Sequence, residues 1–265
     1  MRDAAAELDH VVVNALRDME TAAVMFAALG FALTPLGRHS LGSINHLMMT
    51  PSAYLELVGV PAEGRQRQEV LDSPLGLSGL VFKSADADAT FARLEAAGLR
   101  PSEPLSFSRP VELDDGVHEA RFRTVKVPGE LFPAGRVYFC EHLTPELVWR
   151  PEWLAHPNGF ESIDRMTIAS ADPEADAMIY AVAAGAEVER RPDALRVALP
   201  GFAIDFVEGD APRFVSLDLA FNGLDEISSR ARRTEGVAWS DAGPGGAARL
   251  QVPSLALELS CRSIR

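Results

Sequence analysis

The chain has 265 residues, and its 38 acidic and 25 basic side chains give a formal net charge of −13, which disfavours nucleic acid and anionic membranes as partners because both attract basic surfaces. No stretch approaches the roughly 20 apolar residues of a membrane helix, and the start of the chain, MRDAAAELDH, lacks the apolar core of a signal peptide. The sequence therefore predicts a cytoplasmic protein whose two cysteines, Cys140 and Cys261, are free thiols.

Four times along the chain an apolar strand is followed by a short Ala-rich helix and then by further strand-like segments. In the first unit the strand starts at Leu8, and a closing strand runs from Tyr54 to Val58. An Asp before a helix and a Gly after it are usual helix boundaries. The four units span residues 8–60, 77–143, 161–208 and 213–262, with helix boundaries expected at Asp18 and Gly30, Asp86 and Gly98, Asp172 and Gly185, and Asn222 and Gly236.

A recurring supersecondary unit of this kind predicts the fold class. We expect an α+β protein in which four βαβββ units pair into two modules, each with a cup-shaped mixed sheet. The boundary is expected where Pro145, Pro151 and Pro157 interrupt the periodicity. This places an N-terminal module in residues 1–150 and a C-terminal module in residues 151–265.

The closing strand of the first unit predicts a cavity. Because side chains alternate along a strand, Tyr54, Glu56 and Val58 share one face, and Leu55 and Leu57 share the other. A carboxylate is costly to bury without a partner. A face that carries Glu56 beside aromatic and aliphatic groups is therefore better explained as the lining of a cup than as core.

Several segments of the first half resemble a known family. They are LDHVVVNALRDMETAAVMFAALGF from Leu8, then GRHSLGSINHLMM, AYLELVGV, FSRPV from Phe107, and YFCEHLTPELVW from Tyr138. Together they are similar to the glyoxalase-like domain family of the vicinal oxygen chelate superfamily over residues 8–150. Beyond that point the assignment depends on the repeat pattern alone.

This resemblance implies a divalent metal at the centre of each cup, held by side chains on the first and last strands of its units. His10 lies on the first strand of unit one and Glu56 on its last strand, while the last strand of unit two offers Glu141, with His142 as the alternative. Such ligands suit Mn, Fe, Ni, Co or Zn and leave room for a chelating substrate. The implied activity is a metal-dependent lyase, isomerase or dioxygenase acting on a small oxygen-rich molecule, with Glu56 and Glu141 as the catalytic carboxylates.

Other units depart from the pattern that the resemblance implies. In unit two the first-strand histidine is matched by Ser78 or Gly79, and neither is a strong ligand. In unit three it is matched by Arg165, and unit four contains no histidine. Closing-strand carboxylates remain at Asp205 and Glu258, but carboxylates without an imidazole make a poor transition-metal site. We therefore expect the C-terminal module to be degenerate.

Five further side chains are candidates for contact with a substrate, and each has a structural alternative. A guanidinium offers a planar fork for a carboxylate or phosphate, although an arginine in this position would equally suit an exposed loop. The histidines and the asparagine would otherwise stabilise a hairpin or a strand edge, and His10 itself would be a satisfied core histidine. The five candidates are His39, Asn45, His46, Tyr54 and Arg109.

Two other classes of function fit the same sequence. The first is a metal-free binding or antibiotic-sequestering protein, in which Tyr54, Met48, Phe122 and Tyr138 would line the cup. The second is a structural or oligomer-forming protein whose cups are filled by side chains. In the first class, as in an enzyme, the expected partner is a small molecule bound by a monomer or a homodimer.

Overall fold

The computed structural model describes residues 5–243 and 246–265, and these residues form two eight-stranded mixed sheets. Apolar strands pair wherever their side chains can alternate between a covered face and a cup face. The strands of the first sheet are β1 (Leu8–Leu16), β2 (Gly37–Arg38), β3 (Ile44–Met49), β4 (Tyr54–Gly59), β5 (Gly76–Lys83), β6 (Leu105–Leu113), β7 (Gly116–Lys126) and β8 (Arg136–His142). Those of the second are β9 (Phe160–Ser170), β10 (Val188–Arg190), β11 (Leu195–Leu199), β12 (Phe202–Glu208), β13 (Arg213–Phe221), β14 (Ala238–Ser240), β15 (Ala248–Val252) and β16 (Leu257–Ser263).

The two sheets have the same strand order, which confirms the predicted α+β fold of paired βαβββ units. The first sheet runs β2-β3-β4-β1-β5-β8-β7-β6, and the second runs β10-β11-β12-β9-β13-β16-β15-β14. In each sheet two units meet at a central antiparallel pair, β1 with β5 or β9 with β13. The helices are α1 (Met19–Ala28), α2 (Gln68–Leu71), α3 (Ala87–Ala96), α4 (Pro173–Ala184) and α5 (Asp225–Ala231).

Two of the four predicted helix caps form side-chain hydrogen bonds. The Asp86 carboxylate accepts from two backbone N–H groups in the first turn of α3, and the Asp172 carboxylate accepts from one in α4. Asp18 occupies the cap position of α1 without such a bond. The prediction of Asn222 was wrong, because α5 begins three residues later and its cap position is Leu224.

One hydrophobic core is shared by both modules. The rings of Phe31, Phe160 and Phe221 lie 5.3–6.2 Å apart across the junction between the two halves of the chain. Farther along, the ring of Phe132 lies 4.8 Å from that of Tyr180 on α4. A second, smaller cluster of buried apolar side chains lies only in the N-terminal module, beside its cup.

The proline-rich connection between the two sheets packs on the N-terminal cup. Two of its prolines begin short 3₁₀ helices, Pro145–Leu147 and Pro151–Trp153. Between them, Val148 is buried against the cup, and Trp149 donates its indole N–H to the Thr50 carbonyl at 3.2 Å. The connection thus forms one wall of the cup, while the exact division of the chain near residue 150 stays a prediction.

The five α-helices of the described residues are all short. None of them combines the length and the apolarity that would be needed to cross a lipid bilayer.

Candidate functional site

A cavity opens within the N-terminal cup, and the empty space among its lining atoms, including the mouth, is about 590 Å³. Six of the side chains that the sequence singles out line it: His10, His39, Asn45, Tyr54, Glu56 and Arg109. Tyr138 and Phe122, expected in a metal-free cup, line it as well. Much of the remaining wall is formed by three residues that were not among the predicted site residues: Arg67, Phe107 and Arg136.

His10 is oriented by an irregularity in β1. Opposite β5, Leu8 pairs with Phe82 and His10 pairs with Val81, so Asp9 is an extra residue in β1. Such a β-bulge redirects side chains away from strict alternation. The fully buried Asp9 carboxylate therefore contacts the neighbouring ring, and its Oδ1 lies 2.5 Å from Nδ1 of His10.

The charge of Asp9 fixes the proton on His10. Burial alone raises the pKa of Asp9, but the nearby His142 and the hydrogen bonds from both histidines outweigh burial and hold that pKa well below its usual range. An ionised carboxylate can only accept hydrogen bonds, so the Nδ1 atom of His10 carries the proton. In the neutral ring the other nitrogen, Nε2, is then the acceptor, and it faces the cavity.

Two polar groups lie near Nε2 of His10. The Tyr138 hydroxyl lies 3.2 Å away, and Oε2 of Glu56 lies 3.6 Å away. Asn45 donates from Nδ2 to Oε1 of Glu56 at 2.7 Å, which holds that carboxylate in place. The Tyr54 ring stacks on His10 with 4.5 Å between ring centroids. Acid, base and hydroxyl groups are thus concentrated at the floor of the cup.

The charge of the cavity lining is predominantly positive. Three guanidiniums, those of Arg67, Arg109 and Arg136, face it together with one carboxylate, that of Glu56. Arg67 is paired with Glu69 outside the cavity at 2.6 Å. The lining therefore favours an anionic guest over a cation.

Arg109 is a buried cation without a close ion pair among the described residues. The side chain is 96% buried, since its exposed fraction is 4%, and its Nη2 atom has no hydrogen-bond partner. Within the described residues, no carboxylate forms a close ion pair with it, because the Glu56 carboxylate is directed to His10 and Asn45. Burial lowers the pKa of Arg109, but a guanidinium stays charged at neutral pH.

Aromatic side chains lie beside Arg109 in the lining, since Phe107 is two residues before it on β6 and pairs with Phe122 on β7. Phe107 and Phe122 stack with 5.1 Å between ring centroids, and the His39 ring lies 5.4 Å from Phe107. Nδ1 of His39 is 3.0 Å from the Ser43 hydroxyl. Burial lowers the pKa of His39 to about 4, so this ring is neutral at pH 7. The lining thus offers flat, uncharged surfaces next to Arg109.

Three residues expected in the cup lie outside it. His46 alternates with Asn45 on β3 and bonds through Nδ1 to the Thr34 carbonyl at 2.7 Å. Met48 lies on the same face as His46 and is part of the shared core. Glu141 follows the cup-facing Cys140, so its side chain turns to the opposite face of β8, where Oε2 accepts from the Ala87 N–H at 3.0 Å.

The predicted ligand set of His10, Glu56 and Glu141 is therefore not brought together. The alternative ligand, His142, bonds to Asp9 rather than facing Glu56. His10 and Glu56 alone supply two of the three protein ligands usual in a catalytic metal site. With three guanidiniums lining the same cavity, these two ligands make a weaker cation site than the predicted set of three.

We expect Glu141→Ala to leave metal binding unchanged and to lower the free energy of unfolding by about 1 kcal/mol, because it removes an acceptor at the start of α3. Urea unfolding and elemental analysis of metal-exposed protein measure both effects, with the exposed Glu130→Ala variant as the control. Loss of bound metal in the Glu141 variant would restore Glu141 as a ligand.

The second cup is neutralised by its own side chains. In the first sheet Val12 pairs with Glu56, and in the second Thr167 pairs with Asp205. Asp205 therefore corresponds to Glu56. Arg165, two residues before Thr167, corresponds to His10, two residues before Val12. Arg165 contacts Asp205 at 3.1 Å and Asp218 at 2.5 Å. Glu258 lies apart from this pair and bonds to Gln251. Here the central cation is compensated, in contrast to Arg109.

Comparisons with known proteins agree with this architecture. A family model described as a glyoxalase-like domain matches residues 8–183. A comparison with curated proteins finds no match. Among solved structures, a hypothetical protein from Staphylococcus aureus has a TM-score of 0.73 and 11% identity, and the match covers 98% of this chain and 100% of that one.

Two further solved structures carry functional names. A variant of 4-hydroxymandelate synthase from Streptomyces coelicolor has a TM-score of 0.58 and 14% identity, with 98% of this chain and 93% of that chain covered. A fusion protein of a xylose isomerase-like TIM barrel and 4-hydroxyphenylpyruvate dioxygenase has a TM-score of 0.63 and 12% identity. The match covers 99% of this chain and 50% of the fusion protein. At these identities the similarity concerns the fold.

Proposed function

The chain belongs to the glyoxalase-like domain family of the vicinal oxygen chelate superfamily, and from this premise we propose that its N-terminal cup binds a small organic anion on Arg109 and presents it to His10 for proton transfer. The observation that carries this proposal is the buried guanidinium without a close carboxylate partner.

A buried cation is costly unless an opposite charge compensates it. Arg109 lines the cavity, and its free Nη2 is a donor with no protein acceptor. A carboxylate or phosphate would accept hydrogen bonds from the guanidinium fork. The stacked Phe107 and Phe122 rings favour a ligand with a flat apolar part. The favoured ligand is thus a small organic acid or phosphate.

His10 is arranged as a proton acceptor for such a ligand. Asp9 holds the Nδ1 proton, so Nε2 is the basic atom that faces the cavity. The Tyr138 hydroxyl lies 3.2 Å from this atom. A ligand that displaces the hydroxyl would place its own acidic hydrogen against Nε2, and the imidazole would accept that proton. This is the proton transfer required by an isomerase or a lyase.

The anion preference is tested by calorimetry with four ligands of similar size: benzoate, phenyl phosphate, benzyl alcohol and benzylamine. We expect the two anions to bind to the full chain and the neutral and cationic compounds to bind at least about tenfold more weakly, because only anions compensate Arg109. Equal binding of all four, or of none, contradicts the proposal. Binding should weaken as salt concentration rises, since the interaction is ionic.

A metal-dependent lyase, isomerase or dioxygenase is the second candidate function. It is favoured by the 3.6 Å separation of His10 Nε2 and Glu56 Oε2, and by the Asp9 carboxylate behind the imidazole, an arrangement common at metal-binding histidines. Elemental analysis after exposure to Mn, Fe, Ni, Co or Zn tests this candidate in the wild type, in His10→Ala and in Glu56→Ala. One metal per chain that both variants lose supports it, and metal retained by both variants contradicts it.

Gly37 makes room for the anion site, and Gly37→Ala is expected to damage that site. A Cβ atom there would lie 2.2 Å from Oδ1 of Asn45 and 3.1 Å from Cδ of Arg109. We expect anion affinity to fall at least about tenfold, because the Arg109 fork must shift from its ligand. Calorimetry measures the change, with Gly129→Ala as the control because a Cβ at Gly129 meets no atom within 4 Å. Unchanged affinity in Gly37→Ala would show that this wall does not contact the ligand.

A further inference from the structure

A cluster of metal-binding side chains lies beside the cup, behind His10. Asp9, Cys140 and His142 each offer a ligand atom, and these atoms lie within 4.8 Å of one another. Among the described residues, this is the group of three possible metal ligands that meets this distance. We propose that it binds a thiophilic divalent cation such as Zn²⁺.

Unsatisfied polar atoms in the cluster point to a missing partner. Oδ2 of Asp9 and Nδ1 of His142 are buried and have no hydrogen-bond partner. The Asp9 side chain is 0% exposed and that of His142 is 8% exposed. Nε2 of His142 lies 3.0 Å from Oδ2 but forms its hydrogen bond with Oδ1, at 3.2 Å. Buried polar atoms are normally satisfied, and a cation bound to Oδ2 would give the Asp9 carboxylate the partner that this oxygen lacks.

The strands bring the three side chains together for a simple reason. Cys140 and His142 are two residues apart on β8, so they share the same face. Asp9 reaches that face only because the bulge in β1 breaks the alternation that would otherwise turn it away. The arrangement is therefore built by two different elements rather than by one exposed loop.

The donor chemistry suits zinc. Thiolate sulfur, imidazole nitrogen and carboxylate oxygen are all common Zn²⁺ ligands, and three protein ligands leave a fourth position for water. The thiolate and the carboxylate together neutralise the charge of a divalent ion. None of the three guanidiniums of the cup lines the surface depression that leads to the cluster, which is lined by Asp9, Lys83, Cys140, Glu141, His142 and Trp149 among others. Cys140 lines both the cup and this depression, so the two sites are adjacent, and the depression gives the cation an entry without a guanidinium in its wall.

The test is titration of chelator-treated full-length protein with Zn²⁺ alone, followed by calorimetry. We expect one Zn²⁺ per chain, and an affinity at least about tenfold lower in Cys140→Ser, which loses the sulfur ligand. Cys261→Ser is the matched control, since Cys261 is also a buried free thiol but lies in the C-terminal sheet. Glu56→Gln should also retain the ion, which distinguishes this site from one in the cup.

A spectroscopic measurement keeps the proposal testable if Cys140→Ser fails to fold. Co²⁺ bound by the wild type should show a near-ultraviolet thiolate-to-metal charge-transfer band that Zn²⁺ removes by competition. Absence of Zn²⁺ binding overturns the proposal, as does a Co²⁺ complex without the thiolate band. Equal loss of affinity in Cys261→Ser, or loss in Glu56→Gln alone, overturns it as well. Failure of the organic anions to bind has no bearing on these outcomes, because the two sites are tested with different ligands.

Discussion

Arg109→Met is expected to abolish anion binding and at the same time to make the protein more stable. The variant removes a buried guanidinium that lacks a close carboxylate partner and replaces it with an unbranched apolar side chain of similar length. Replacing buried charge with apolar groups often stabilises a protein, here by about 1–4 kcal/mol. Loss of a buried charged partner of the ligand should cost about 2–5 kcal/mol of binding free energy. This loss corresponds to an increase in Kd of at least about 30-fold.

Benzoate calorimetry and urea unfolding at pH 7 measure the two effects in the same protein preparation. Arg190→Met is the matched control, because the Arg190 side chain is 76% exposed and paired with Glu174; a surface pair of this kind contributes little. Higher stability together with lower affinity in Arg109→Met would show that Arg109 binds the ligand at a cost to the stability of the fold. A variant that is less stable and still binds benzoate would instead assign Arg109 a packing role.

Asp9→Asn is expected to cost the most stability of any single substitution in the cup. Its carboxylate is fully buried between two imidazoles, 2.5 Å from His10 and 3.0 Å from His142. Removing one partner of a buried charged group typically costs about 3–5 kcal/mol. Urea unfolding of chelator-treated protein at pH 7 measures the loss. Asp88→Asn is the control, since that carboxylate is also ion-paired, with Arg123, but is exposed.

The cost of Asp9→Asn should depend on pH in a defined direction. The pKa of Asp9 in the folded protein lies below its ordinary value, because the two histidines outweigh the effect of burial. A group of this kind contributes its full stability above the pKa of the unfolded chain, near 3.9, and loses it as pH falls through the folded value. The difference between wild type and variant should therefore shrink as pH falls below about 4, where the carboxylate becomes protonated first in the unfolded and then in the folded chain. A difference that stays unchanged on this acidification would contradict the ionic role of Asp9.

The fold was predictable from the sequence because its signals are local and repeated. Asp86 and Asp172 begin helices as expected, and the closing strand from Tyr54 alternates as the cup requires. The fourth unit was less clear, since Leu224 caps α5 where Asn222 was expected. The reason is that a capping residue type is a preference, and tertiary packing decides which residue starts the helix.

The site was only partly predictable. Alternation brings Tyr54 and Glu56 to the cup. It also places Glu141 on the opposite face of β8, away from the cup in which it was expected as a ligand. Asp9 was missed because a bulge breaks the alternation from which strand faces are inferred. The sequence nevertheless contains a signal for Asp9, because it lies in an apolar strand with three valines, where an unpaired carboxylate would be too costly to bury. Arg136 was missed because only the parallel pairing of β5 with β8 brings it to the cavity.

The core shared by the two modules makes the chain a single cooperative unit. Phe31 packs against Phe160 and Phe221, so neither sheet can open without exposing apolar surface of the other. A ligand bound in one cup stabilises the whole folded state. Amide hydrogens of β9 and β13 that exchange only through global opening should therefore exchange with deuterium more slowly when an anion occupies the N-terminal cup. The neutralised C-terminal sheet thus reports on occupancy of a cup to which it contributes no lining side chain.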